Sequence, residues 1–152
     1  MHLPTYLTML ATAERTLADS HRHVAAGHAA DADVHYTCAG FAHQCDTHAD
    51  ALTPIIDRYA DRRQAEPDRL HPPGLTAARP GPIGLLRDLQ DLHQLAGLVD
   101  ITWTLIGQAA AGARDRPLLD TVAACHPDIT TQLSWLRTRM KAAAPQTLLL
   151  AP

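Results

Sequence analysis

The chain is poor in aromatic residues, in lysine and in glutamate, and it contains no long apolar run. Aromatic residues make up only 4% of its 152 residues, so Leu, Ala, Val and Ile must supply most of a core. Abundant alanine and scarce β-branched runs favour helices. No segment approaches the roughly 18 apolar residues of a membrane helix. The net charge is −3 and the basic residues form no run, which argues against a nucleic-acid binder.

Catalytic and targeting signals are also scarce. No nucleophile elbow, glycine-rich phosphate loop or Cys-x-x-Cys motif occurs, so we predict no catalytic residue. The N-terminus lacks the basic-then-apolar order of a signal peptide. Three cysteines are an odd number for a disulfide framework. These features predict a cytoplasmic protein with reduced thiols.

Apolar residues recur at steps of three and four in four segments, which predicts four helices. We place these helices at 4–29, 33–63, 83–111 and 117–143. Pro127 is expected to kink or split the last helix. The length suits one domain, so residues 1–152 are interpreted as a single four-helix bundle.

A segment rich in proline and glycine, 64–82, separates the second helix from the third. Helices of about 30 residues are about 45 Å long, and nineteen extended residues reach about 60 Å. The segment can therefore cross the whole bundle and make the second and third helices parallel. The pattern predicts an all-α fold of two helical hairpins joined by one long crossover.

Glu14 is the most informative residue of the chain. It is one of only two glutamates, and it lies in the middle of the apolar stripe of the first helix. An unpaired charge in a core is costly, so Glu14 needs a cation, a hydrogen-bond donor or a metal. Folding the first hairpin about Asp31 brings Cys45 and His48 level with Glu14. Cys45 and His48 are three residues apart and share a helix face.

The second hairpin supplies further polar candidates. With its turn near Arg114, Asp100 comes level with Asp128, and His126 lies close by. His93 is two helical turns from Asp100 on the same face. Both Asp100 and His93 lie at the flank of the apolar stripe rather than at its centre.

The four-helix plan, the glutamate in helix 1 and the pair Cys45-x-x-His48 in helix 2 resemble the ferritin-like superfamily, in particular its small actinobacterial-type members. This resemblance covers nearly the whole chain. Di-iron members carry a Glu on each of two helices and Glu-x-x-His on each of the other two. Here Cys45 stands in place of a bridging Glu, and helix 4 has no Glu-x-x-His. A four-glutamate di-iron oxidase site cannot be assembled, so enzymatic activity is not expected.

Three interpretations of the core pair stay open. The first is a metal site with Glu14, Cys45 and His48 as ligands, completed by the candidates on helices 3 and 4, which are Asp100, His93 and His126. Such a ligand set suits Zn, Fe or Cu. The second is a buried Glu14–His48 hydrogen bond in a degenerate bundle that serves as a structural or interaction module. The third is a small ligand or organic cofactor in the core.

The surface suggests a partner. Trp135 falls off the apolar stripe of its helix, and the tail from Leu148 to Pro152 is apolar. An exposed tryptophan is a modest sign of an interface. We therefore predict a homodimer or another protein partner, bound through Trp135 and the tail. The alternative is that the linker or the tail simply covers Trp135. His21 and His28 continue the stripe of helix 1. One interpretation is a second metal or proton-sensitive cluster there, and the favoured one is that both are partly exposed near the helix end.

Overall fold

Four long helices account for most of the chain, in the computed structural model that describes residues 1–151. They are α1 (Leu3–Gly27), α2 (Ala32–Arg58), α3 (Gly81–Ala113) and α4 (Arg116–Pro145). A 3₁₀ turn follows α2 at Ala60–Arg62, and a π-helical turn follows α4 at Gln146–Leu150. Residues 1–151 contain no strand, which confirms the all-α prediction.

Most helix ends lie within two residues of their predicted positions, with α2 as the exception. It ends at Arg58 instead of Arg63. The reason is Asp115, the N-cap of α4, whose carboxylate accepts hydrogen bonds from Tyr59 at 2.6 Å and Arg58 at 3.0 Å. These bonds hold the end of α2 against the start of α4, and the chain turns away there. Pro127 does not split α4, which continues through it.

Contacts at the helix ends fix the helix directions. His28, next to the end of α1, bonds Asp88 near the start of α3, so α1 and α3 are antiparallel. Arg58 at the end of α2 bonds Asp115 at the start of α4, so α2 and α4 are also antiparallel. Since a tight turn reverses the chain between α1 and α2, helices α2 and α3 run parallel.

The segment between α2 and α3 lies along α1. Arg63 donates to Thr8, the backbone N–H of Leu75 donates to Ser20, and Arg79 bonds Asp88. Gly74 passes so close to α1 that a Cβ atom there would lie 2.6 Å from the Thr16 methyl group. The segment therefore progresses from the beginning of α1 to its end, and a larger residue at position 74 would require the side chains of Thr16 and Ser20 to shift.

The core is mainly aliphatic. Its aromatic residues are Trp103, which is fully buried, and Phe41 and Tyr59, which are each 8% exposed. A fully buried leucine contributes about 1.5–3 kcal/mol relative to an exposed one. Besides Trp103, the apolar side chains larger than alanine with no exposed surface come from all four helices: Leu7, Leu10, Leu17, Val24, Val34, Cys38, Cys45, Leu52, Leu89, Leu92, Val99, Leu118, Ile129 and Leu136. No helix among residues 1–151 is long and apolar enough to cross a membrane.

The predicted partner surface is only partly present. Trp135 is half-buried, and its ring packs edge-to-face on Phe41 with centroids 5.8 Å apart. The prediction of an exposed Trp135 is wrong, because the buried face of α4 is rotated towards Cys125 and Gln132. The leucines of the tail, Leu148 to Leu150, remain 65–80% exposed.

Candidate functional site

One buried carboxylate connects three helices at mid-height of the bundle. Glu14 in α1 has no exposed surface. Its Oε1 atom accepts a hydrogen bond from His48 Nδ1 in α2 at 3.0 Å. It also accepts one from Trp103 Nε1 in α3 at 2.8 Å. The predicted meeting of Glu14 and His48 is confirmed, and the hydrogen bond between them is direct.

The fourth helix joins through the other ring nitrogen of His48. Nε2 of His48 lies 2.9 Å from Oδ2 of Asp128, a carboxylate that is 43% exposed. Ionised carboxylates only accept hydrogen bonds, so this geometry suits a ring that donates from both nitrogens and is a cation. Glu14, His48 and Asp128 thus form a carboxylate–imidazolium–carboxylate chain, which we call the core triad. It runs from the interior to the surface.

The environment favours the charged form of His48. Burial opposes protonation, but the hydrogen bond and negative charge of Glu14, followed by those of Asp128, outweigh burial and raise the pKa of His48. The stabilisation of the folded state that this pKa shift contributes is fully present below the ordinary pKa of histidine. It is lost as pH rises through the raised value.

A second polar group lies beside the core triad. Gln132 of α4 is fully buried, and its Oε1 lies 3.1 Å from His21 Nε2. Its amide nitrogen donates to Gln44 at 3.1 Å and to the sulfur of Cys45 at 3.6 Å. Burial lowers the pKa of His21 to about 4, against the opposing effect of the Gln132 hydrogen bond. His21 is therefore neutral at pH 7.

Two buried side-chain atoms of residues 1–151 have no hydrogen-bond partner: Oε2 of Glu14 and Nδ1 of His21. Such atoms are uncommon in folded proteins, since burial without a partner costs about 1–3 kcal/mol. Glu14 and His21 are seven residues apart on α1, about two turns, so the two atoms belong to different layers of the core.

The three thiols are free, buried and protonated at neutral pH. Burial and then the negative charge of Glu14 raise the pKa of Cys45 far above its usual range. Burial raises the pKa of Cys38 to about 12, and burial with the charges of Glu14 and Asp128 raises that of Cys125 to about 11. A thiol binds metal as the thiolate, so ligation at any of these positions requires the thiol to lose its proton.

The other predicted ligands lie elsewhere. His126 Nε2 bonds Asp100 Oδ1 at 2.8 Å, and this pair is about one-quarter to one-third exposed between α3 and α4. His93 is half-buried in a separate cleft beside Met140. Among residues 1–151, no three His, Cys, Asp or Glu side chains converge as metal ligands would. The six predicted ligands therefore do not form one centre here.

A second buried carboxylate lies at the end of the bundle where α3 begins. Asp88 of α3 has no exposed surface, and its oxygens lie 2.8 Å from His28 Nε2 and 2.7 Å from Arg79 Nη1. The prediction of partly exposed His21 and His28 is wrong. His28 is only 6% exposed because Asp88 and the segment before α3 cover it.

The sequence did contain signals for some residues that were missed. Asp88 lies between Leu85 and Leu92 on the apolar stripe of α3, and Gln132 lies between Ile129 and Leu136 on that of α4. A polar residue on such a stripe is a candidate for burial, as Glu14 was. Asp128 has no such signal, because it lies beside the apolar stripe of α4 and is half-exposed.

No protein family, curated protein or solved structure matches this chain.

The core triad predicts strong energetic coupling between Glu14 and His48. Glu14→Leu leaves the N–H groups of His48 and Trp103 without their buried acceptor, and His48→Leu leaves the Glu14 carboxylate without its charged partner. Each should lower the free energy of unfolding by about 3–5 kcal/mol. Glu14→Leu/His48→Leu leaves neither charge. Its loss should be smaller than the sum of the single losses by about 2 kcal/mol.

Urea unfolding of the four proteins measures this coupling. The matched control is the pair Asp100–His126, which is about one-quarter to one-third exposed. A cycle of Asp100→Leu and His126→Leu should give below about 1 kcal/mol. Additive losses at Glu14 and His48 would show that they do not interact.

Neutral burial of His21 predicts acid sensitivity. The unfolded chain binds a proton at His21 below pH 6.5, whereas the folded chain does so only near pH 4. Stability should therefore fall across this window, by about 3 kcal/mol at roughly 1.4 kcal/mol per pKa unit. His21→Gln should lack this part of the fall. Urea midpoints at pH 7, 6, 5 and 4 test this, and parallel profiles of the two proteins would contradict it.

Proposed function

We propose that the chain is a ferritin-like four-helix bundle in which the segment between α2 and α3 is the long crossover. The parallel direction of α2 and α3 supports this proposal. So do the contacts of that segment at Thr8, Ser20 and Asp88, which lie from one end of the bundle to the other. An up-and-down bundle needs no connection of this length.

The core triad, in this proposal, fixes helix packing and does not bind a metal. This proposal rests on the hydrogen bonds that link both ring nitrogens of His48 to carboxylates. A histidine ligand needs an unprotonated nitrogen for the metal, and His48 has none in this arrangement. A buried polar group that is satisfied only in one helix arrangement can specify register.

The bundle then acts as a structural or protein-interaction module of the cytoplasm. Its chemically distinctive groups are internal, and the three free thiols suit a reducing compartment. Its outer surface, by contrast, displays several large apolar side chains, including Ile101, Leu105 and Leu149. Contiguous apolar surface on a soluble domain is a common mark of a binding site.

Metal binding is the second candidate, and one observation favours it. Glu14 Oε2 is buried and has no partner, and the thiol of Cys45 lies close enough for the Glu14 charge to raise its pKa. A late first-row ion, such as Zn²⁺, could take this oxygen and a Cys45 thiolate as ligands. To use His48 as a ligand, the ion would have to displace Asp128 from Nε2. Otherwise it would bind without the imidazole.

Elemental analysis of untagged protein separates the two candidates. We expect no stoichiometric metal in the wild type, before or after incubation with Zn²⁺, Fe²⁺ or Cu⁺, and no change of Tm with EDTA. A bound metal would stabilise the fold by mass action and would be lost on chelation. One equivalent of metal in the wild type that is absent from Glu14→Gln/His48→Gln would establish the metal site instead. Asp100→Asn/His126→Gln is the matched control.

A further inference from the structure

His28 is bonded to one carboxylate, whereas His48 of the core triad is bonded to two. Nε2 of His28 lies 2.8 Å from Oδ2 of Asp88, but its Nδ1 atom has no hydrogen-bond partner among residues 1–151. His28 is only 6% exposed, and Nδ1 is not one of the two fully buried unpartnered atoms. The small exposed part of His28 therefore includes this nitrogen, which is open to a ligand.

The space next to His28 is a cleft of about 540 Å³. It lies at the end of the bundle where α1 and α4 end and α3 begins, and its apolar walls include Pro82, Leu85, Ala142 and Ala143. Sites for small organic molecules are typically clefts of about 300–1,000 Å³ with apolar walls and a few convergent polar groups. The cleft has the size and the walls of such a site.

Two other donors line this cleft without a protein partner. Gly81 is the first residue of α3, and Pro80 before it provides no side-chain cap, so the backbone N–H of Gly81 is unpaired within residues 1–151. The partial positive charge of a helix N-terminus favours an anion there. Thr147 is 7% exposed, and its hydroxyl group makes no hydrogen bond in the described part of the chain. Both groups can donate to the same ligand as His28.

The charges around the cleft favour a ligand with a single negative charge. Arg139 lines the cleft but is already paired, because its Nε atom lies 2.6 Å from Asp33 and its Nη2 atom 3.8 Å from Asp31. A ligand with several negative charges would be repelled by these two carboxylates. A single carboxylate needs only the three donors described above.

We propose that this cleft binds a small organic acid, a monocarboxylate with an apolar body. The ligand carboxylate accepts hydrogen bonds from the side chains of His28 and Thr147 and from the N–H of Gly81, and its hydrocarbon part packs on the apolar walls. His28 then lies between two carboxylates, that of Asp88 and that of the ligand, as in the core triad. The site is distinct from that triad, since His28 is fourteen residues, or about 21 Å, from Glu14 along α1.

Calorimetric titration of the full chain with hexanoate tests this site, and hexanamide is its uncharged analogue. At pH 6, below the ordinary pKa of histidine, we expect one hexanoate per chain. Hexanamide should bind at least about tenfold more weakly, because it brings no charge to His28. Thr147→Val removes one donor and should weaken hexanoate binding about threefold or more.

A second variant fills the cleft without touching the bond between His28 and Asp88. Ala143→Leu places a larger side chain on the wall of the cleft and should abolish binding. Ala124→Leu is the matched control, since Ala124 is exposed on α4 at a distance from the cleft, and it should bind like the wild type. Circular dichroism and Tm confirm folding. If Ala143→Leu does not fold, Ala142→Leu on the same wall replaces it.

Four results would overturn the proposal. No saturable binding of hexanoate, nor of acetate, butyrate or octanoate, would show that the cleft takes no monocarboxylate. Equal binding of hexanamide would reject recognition of the carboxylate. Unchanged binding in the cleft-filling variant would place the ligand elsewhere. Tighter binding of inorganic phosphate than of hexanoate would contradict the preference for a single charge.

Discussion

The centre of this bundle is organised around the buried carboxylate of Glu14. A charge with no exposed surface must be compensated nearby, and compensation comes from a different helix at each contact: His48 from α2 and Trp103 from α3. Asp128 from α4 then stabilises the cation that His48 becomes. Any shift of one helix along another would leave a buried charge unpaired. The polar contacts at this level therefore resist sliding, which aliphatic packing alone tolerates better.

The same principle operates at the end of the bundle where α3 begins. Asp88 is as buried as Glu14, and it is compensated by His28 and Arg79. Because Arg79 belongs to the segment before α3, this carboxylate holds the connection in place as well as the helices. The two ends of the segment are thus bonded to the bundle, at Thr8 and at Asp88. The segment, which consists of a 3₁₀ turn and a stretch rich in proline and glycine, therefore needs no hydrophobic core of its own.

Periodicity sufficed to predict the four helices and the burial of Glu14, because both follow from local spacing. It also predicted that His48 lies at the height of Glu14, since residues equally far from the turn of a tight hairpin lie opposite one another. Asp128 could not be assigned by such reasoning: its role depends on how α4 rotates against α2, which is set by packing. The same rotation buries Gln132 and half-buries Trp135. The partners of Asp100 and His126 proved to be each other, which spacing alone could not distinguish from a shared ligand set.

His48 is best described as a cation held between the carboxylates of Glu14 and Asp128. Nitrogen-15 NMR of the imidazole ring measures this directly, because protonated and unprotonated ring nitrogens have well-separated chemical shifts. At pH 6.5, the ordinary histidine pKa, we expect both nitrogens of His48 to carry protons in most molecules, because its pKa is raised. The signals are assigned by their loss in His48→Gln. A ring that is less than half protonated at pH 6.5, or that has a metal-bound nitrogen, would contradict a cationic His48.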